Sequence, residues 1–157
     1  MVYKLSSTRR WDNGQVTAED VLDGAGPLAR RLYQRHTRLW RENVGDVLTP
    51  PQYTVLALLD GAGPTDHATL ADWAALDKAT LTTMRNRLLE RELVEVAGDH
   101  DDGRRRLLSI TPHGREVLRD ATPGAHAAGR QLLAPLSPGD RDTLVELLRL
   151  AAADATG

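Results

Sequence analysis

The sequence predicts a mainly α-helical fold carrying a small β-hairpin wing, and three observations lead there. Leucine, valine and alanine must build the core, because phenylalanine is absent and aromatic residues make up only 4% of the 157 positions, a composition suited to helices packed on helices. Apolar residues recur at three- and four-residue steps through most of the chain. One short region breaks that rhythm. LVEVA (Leu93 to Ala97) and RLLSI (Arg106 to Ile110) are rich in β-formers and partly alternating, and they bracket DHDDGRRR. A hairpin is expected there, its loop holding Asp101, Asp102, Gly103, Arg104 and Arg105.

The helices follow in order. Thr17-Ala-Glu-Asp20 has the pattern of a helix-starting box, and Gly24-Ala-Gly-Pro27 interrupts the segment behind it. From Leu28 to about Asn43 an amphipathic helix places Leu28, Leu32, His36, Leu39 and Trp40 on one face. Thr49, followed by Pro50 and Pro51, caps the next helix, whose inner face is Tyr53, Val55, Leu56, Leu58 and Leu59 and which stops at Gly61-Ala-Gly-Pro64. A short helix from Thr69 to Ala75 and a longer one from Lys78 to about Arg91, capped by Asp77, then have helix-turn-helix spacing. The longer helix buries Leu81, Met84 and Leu88. Its opposite face presents Ala79, Thr80, Thr83, Asn86 and Arg87, small or polar side chains that let a helix approach a partner closely and hydrogen-bond outward. After the hairpin, Thr111-Pro112 opens a helix to about Asp120, and Pro123-Gly124 is expected to break or bend it before His126 to Leu133. Ser137-Pro138-Gly-Asp140 opens the last helix, striped by Leu144, Leu147, Leu148 and Ala151.

Composition excludes several function classes. With no cysteine, disulfides, thiolate zinc sites and cysteine catalysis are out, and a reducing compartment fits. The five histidines, His36, His67, His100, His113 and His126, show no two-histidine metal spacing on one helical turn. Neither a glycine-rich phosphate loop nor a standout serine or carboxylate pair is present, so no enzyme, metal or cofactor is expected. No apolar run approaches the ~20 residues of a membrane span, and the N-terminal stretch lacks the apolar segment of a signal peptide. A soluble, cytoplasmic protein without a membrane role is expected. The formal charge of -2 provides no global basic field, and Lys78 to Arg106 holds seven basic against six acidic residues. Any nucleic-acid role must therefore come from local patterning.

Taken in order, LTPPQYTVLALL, ALDKATLTTMRNRLLERELV, DHDDGRRRLLSIT, PHGREVL and LSPGDRDTLVELL make the chain resemble the MarR family of winged helix-turn-helix transcriptional regulators, most strongly from Leu48 to Leu118. The resemblance implies one MarR-like domain over 1–157, in which dimerisation helices (1–46 and 112–157) interlock and a winged helix-turn-helix lobe spans 47–111. It also implies a ligand-responsive repressor that binds double-stranded DNA as a homodimer at a palindromic, inverted-repeat operator. Carried over residue by residue, Ala79, Thr80 and Thr83 fall at base-facing positions, with Asn86 and Arg87 along the same face. Asp102 and Arg104 form the wing pair. Beside it, Arg105 and Arg106 are candidates to meet phosphates, with one of them expected to lean over the sheet as an ordinary surface residue. A small aromatic or phenolic anion is the implied effector, with His36, Trp40, Tyr53 and Tyr33 as candidate contacts and Trp11 and Trp73 behind them.

Simpler readings stand beside these. A histidine or tryptophan on an apolar helix face is ordinarily core packing, and an Asp/Arg turn is ordinarily a solvated loop. The nearly neutral recognition surface also suits a winged-helix module that binds protein instead of an operator. Four departures from the family pattern matter. Glu92 stands where glycine commonly precedes the first wing strand, so the helix must end without the easiest left-handed residue. Arg85 replaces an apolar residue and Leu89 a frequent glutamate, from which a shifted or repacked turn is expected. Thr83 replaces a frequent arginine, removing a bidentate guanine contact.

Overall fold

A computed structural model of the chain describes residues 21–98 and 106–153. Its elements are α1 (Ala25–Val44), α2 (Pro50–Ala62), β1 (Thr65–Asp66), α3 (His67–Trp73), α4 (Lys78–Glu90), β2 (Val94–Gly98), β3 (Arg106–Ile110), α5 (Pro112–Leu133) and α6 (Pro138–Ala152). The fold is mainly helical with a small antiparallel sheet, as the sequence predicts. The chain divides into two units between Gln34 and Arg35. In the first, the interruption expected at Gly24-Ala-Gly-Pro27 is only a turn at Asp23-Gly24, and α1 starts at Ala25 with Pro27 in its first turn, where a missing N–H is harmless. The helix-starting box at Thr17 to Asp20 lies outside the described residues.

The second unit is assembled from capped helices. Thr49 Oγ1 accepts from the Gln52 backbone N–H at 3.4 Å while the Gln52 side chain accepts from the Thr49 N–H at 3.0 Å, completing a capping box ahead of α2. Helix α2 buries Val55, Leu56 and Leu59 completely. Helix α3 begins two residues earlier than expected, because Asp66 accepts from the N–H groups of Ala68 and Thr69 at 3.0 and 3.1 Å. Helix α4 starts after Asp77 as predicted, with Leu81, Met84 and Leu88 buried. It stays one regular helix: Arg85 and Leu89 do not shift it, and Leu89 packs against the core.

The expected strand pair is found, β2 antiparallel to β3 with Val94 opposite Ile110, and β1 adds a third strand in the order β1-β3-β2, with Thr65 opposite Leu108. One expectation is corrected: Pro123-Gly124 breaks nothing, since α5 runs unbroken from Pro112 to Leu133. Pro123 is solvent-exposed within it. Gly124 is a close-approach residue: an added Cβ would collide with the Asn43 carbonyl oxygen and lie 3.1 Å from Val44 Cγ2, so the end of α1 crosses α5 nearly backbone to backbone.

Within the second unit one core runs from Leu48 and α2 through Leu70, the α4 stripe, Leu93, Val94, Leu108 and Ile110 to Leu118 and Ala121 of α5. Helix α6 buries none of its residues, leaving Leu147, Leu148 and Leu150 exposed.

The exit from α4 is tightly constrained. Glu92 has φ +55°, and its N–H bonds the Leu89 carbonyl while the Leu93 N–H bonds that of Leu88, both at 2.9 Å, a Schellman closure made without glycine. Ala75, φ +52°, closes α3 the same way through Asp72 and Ala71. Thr111 then ties the exit down: its N–H bonds the Leu93 carbonyl at 3.1 Å, and its hydroxyl donates to the Glu92 carbonyl at 2.7 Å while accepting from the Gly114 N–H at 2.9 Å. A Cβ at Gly114 would strike the Leu93 carbonyl oxygen and sit 2.8 Å from Ile110 Cγ1. Gly114→Ala is therefore expected to destabilise the protein by about 2 kcal/mol or more in urea unfolding. Glu92→Gly should stabilise it by roughly 0.5–1 kcal/mol through relief of the left-handed conformation. A Glu92→Gly variant less stable than wild type would contradict strain at this junction.

Candidate nucleic-acid interface

The buried stripe of α4 aims its other side at solvent, and Ala79, Thr80, Thr83, Asn86 and Arg87 are all exposed there, grouped by the three- and four-residue steps of a helix face. The hydrogen bonds on this face are specific. Asp77 Oδ1 accepts from the Thr80 N–H at 2.8 Å, and its Oδ2 accepts from the Thr80 hydroxyl at 2.6 Å. The Thr80 hydroxyl, followed by the Thr80 N–H, holds the Asp77 carboxyl below the ordinary carboxylate range. The Thr83 hydroxyl donates one turn back, to the Ala79 carbonyl at 3.1 Å. Arg85 Nε and Nη2 donate to Asn86 Oδ1 at 3.4 and 3.2 Å.

Beside this face stands the sheet. Gly98 pairs with Arg106, and Arg106 is exposed at the start of β3. Asp102, Arg104 and Arg105 lie outside the described residues. Between α3, α4 and the sheet is a cleft of about 140 Å³, walled by His67, Arg85 and Arg106 over Leu70, Val96 and Leu108. Sequence reasoning missed it, because three separate elements contribute its walls. It explains Arg85, whose position along the cleft lets an aliphatic stem pack while the guanidinium reaches the surface at Asn86. The Thr82 hydroxyl gives its proton to the Lys78 carbonyl at 2.7 Å and lies 3.3 Å from His67 Nε2.

The candidate effector residues separate. His36, Trp40 and Tyr53 form a row: ring centroids lie 5.8 Å apart for His36 and Trp40, and 5.3 Å apart, edge to face, for Trp40 and Tyr53. Trp40 is only 5% exposed, and its indole N–H donates to the Leu48 carbonyl at 2.6 Å. The Tyr53 hydroxyl lies 3.3 Å from Thr122 Oγ1, whose own proton goes to the Leu118 carbonyl at 2.7 Å, so Tyr53 is the donor there. Burial pushes the His36 pKa below its ordinary 6.5. Tyr33 is exposed and lies in the other unit, Trp73 is half exposed on α3, and Trp11 lies outside the described residues. Among the described residues no group of three or more histidine or carboxylate side chains is placed to hold a metal, and no helix is long and apolar enough to cross a membrane.

Comparison with known proteins places this geometry in context. The family model described as "MarR family" matches residues 48–105. The HTH-type transcriptional repressor NicR of Pseudomonas putida is 34% identical over 134 residues, covering 85% of each chain. Among solved structures, Bordetella bronchiseptica BpsR, described in terms of regulation of its DNA binding by 6-hydroxynicotinic acid, superimposes with a TM-score of 0.80 at 32% identity, covering 85% of this chain and 96% of that one. The PcaV transcriptional regulator of Streptomyces coelicolor, in complex with its natural ligand, gives a TM-score of 0.82 at 34% identity, covering 90% of this chain and all of that one (100%).

The depressed His36 pKa has a testable sign. The folded state binds fewer protons at this ring than the unfolded chain, so its contribution is complete above pH 6.5 and is lost as pH falls from there through the folded-state pKa. On acidification across that window, the urea midpoint of His36→Gln should fall less than that of wild type. Equal losses would remove His36 as a source of acid sensitivity.

Proposed function

The chain belongs to the MarR family of transcriptional regulators, and on that premise we propose that it is a DNA-binding transcriptional repressor. One observation carries this reading: α4 holds an exposed face of small and polar side chains, Ala79, Thr80, Thr83, Asn86 and Arg87, rigidly over a buried apolar stripe, which is what a helix needs to enter a major groove. The winged lobe spans 47–111, and Asp102 orients Arg104 at the wing tip so that its guanidinium enters the minor groove, where the potential is most negative. Of Arg105 and Arg106, one meets phosphates and the other leans over the sheet as a surface residue. The lobe carries no catalytic role.

The operator is read by two copies. Leu147, Leu148 and Leu150 of α6 are 57%, 43% and 65% exposed, a concentration of apolar surface that calls for a partner. It supports a two-fold homodimer built through the terminal helices, 1–46 and 112–157. Two-fold symmetry sets the recognition helices about one turn, roughly 10 base pairs, apart, and so makes the operator an inverted repeat. The row of His36, Trp40 and Tyr53 supports a site for a small aromatic or phenolic anion. Such a ligand releases DNA by favouring the arrangement that cannot bind it.

A gel shift with DNA from upstream of the protein's own gene tests the core of the proposal. Arg104→Ala should weaken binding across sequences and reduce the salt slope by up to about two in magnitude for the dimer. Thr83→Ala should relax sequence preference with nearly unchanged slope. Unaltered affinity and salt dependence in Arg104→Ala would make the wing tip a solvated turn. Aromatic carboxylates such as 6-hydroxynicotinic acid should lower DNA affinity, and His36→Ala should blunt that response while preserving ligand-free binding. Loss of the folded dimer in His36→Ala would instead mark His36 as a core residue.

A further inference from the structure

We infer that the base-reading half of α4 selects A·T pairs and disfavours guanine, because the hydroxyls of Thr80 and Thr83 both give their protons to acceptors of the helix and its cap. The inference rests on the reading of α4 as a major-groove helix and adds what that helix reads.

A threonine hydroxyl has one proton to donate and two lone pairs to accept with. Thr80 gives its proton to Asp77 Oδ2 at 2.6 Å, a charge-assisted bond that a neutral base edge does not displace cheaply. The same carboxylate takes the Thr80 N–H, so cap and hydroxyl hold each other in place. Thr83 gives its proton to the Ala79 carbonyl at 3.1 Å. Each of these exposed side chains is left with an acceptor oxygen and a methyl group, and Ala79 adds another methyl.

Base edges answer this set unequally. In the major groove guanine shows only acceptors, N7 and O6, which would face the threonine oxygens acceptor to acceptor. Adenine offers its N6 donor and thymine its C5-methyl, so an A·T pair supplies both a proton for the oxygen and an apolar surface for the methyls. Cytosine supplies a donor but no methyl, and its partner is guanine. Donors do exist on this face, farther along the helix. Arg85 donates to Asn86 Oδ1, so Asn86 offers its amide N–H groups as donors, and Arg87 follows. In helix-turn-helix docking the first residues of the recognition helix meet base edges, which gives the reading positions to Ala79, Thr80 and Thr83.

The test selects duplexes from a randomised library with the full-length protein, in parallel with Thr83→Ala, Thr83→Val and Thr83→Arg. Positions whose preference changes between wild type and Thr83→Ala are those that Thr83 reads. Wild type should enrich A·T there, and replacing thymine by uracil at those positions should weaken binding about fourfold, the effect of one methyl group. Thr83→Val, which keeps a methyl without the acceptor, should retain the sensitivity to uracil. Thr83→Arg should move the preference to guanine. Enrichment of guanine by wild type, or no position that responds to Thr83→Ala, overturns the inference while leaving operator binding intact. Enrichment of no sequence at all removes the DNA-binding reading itself.

Discussion

The carbonyl oxygen of Leu93 is the point on which the lobe turns. It accepts the Thr111 N–H, and it sits so close to Gly114 that no side chain fits between them. Three elements meet there: α4 has just ended, β2 begins one residue later, and α5 starts across from both. The Thr111 hydroxyl spans the remaining gap by donating to Glu92 and accepting from Gly114. Because Leu93 and Val94 are almost fully buried directly beside this knot, the angle between recognition helix and wing strands is set by packing as well as by hydrogen bonds. Helix α4 and the sheet should consequently move together. A left-handed Glu92 is the strain that such a short connection carries.

Helix caps in this protein do more than start helices. Thr49, Asp66, Asp77, Thr111 and Ser137 each accept a first-turn N–H, and each was available to do so because its short side chain reaches back to its own backbone. At Asp66 the cap also contributes to β1, so the sheet edge and the start of α3 share a residue. At Asp77 the carboxylate holds the Thr80 hydroxyl, so the residue that begins the recognition helix also decides which hydrogen-bonding groups that helix can turn toward a base. A local rule of helix initiation thereby reaches into recognition.

What the sequence reveals follows the range of the interactions involved. The apolar stripe of Leu81, Met84 and Leu88, the Asp77 cap and the bounds of β3 are all visible in it, because each depends on neighbours within about one helical turn or on a short, partly alternating run of β-formers. Strand β1 is not visible, since two residues have no period and its pairing with Leu107 and Leu108 joins distant parts of the chain. Pro123-Gly124 misleads for the opposite reason. As a local signal it reads as a break, whereas Gly124 is explained by a contact with Asn43 and Val44, far away in sequence, and the surrounding packing keeps the helix whole. The cleft over Leu70 and the role of Arg85 along it need three elements at once. At the candidate interface the exposed residues of α4 are legible as a face, but the direction of each hydroxyl proton is not, because it follows from side-chain geometry that residue type leaves open.

The same logic bears on how a ligand beside His36 would influence α4. Trp40 stands between His36 and Tyr53, and its indole N–H holds the carbonyl of Leu48, the residue immediately before the α2 cap at Thr49. Tyr53 continues the row to Thr122 and thence to the Leu118 backbone, while Leu118 and the α2 leucines share the core with the α4 stripe. A molecule that merely screened the His36 ring would alter the protonation of one partly buried group and little else. One that displaced Trp40 would break a buried hydrogen bond and shift the entry to α2, moving the packed face on which α4 rests. Since a ligand changes an equilibrium only through its unequal affinity for the two arrangements, a molecule at this row would act on α4 only to the extent that it altered the packing of Trp40.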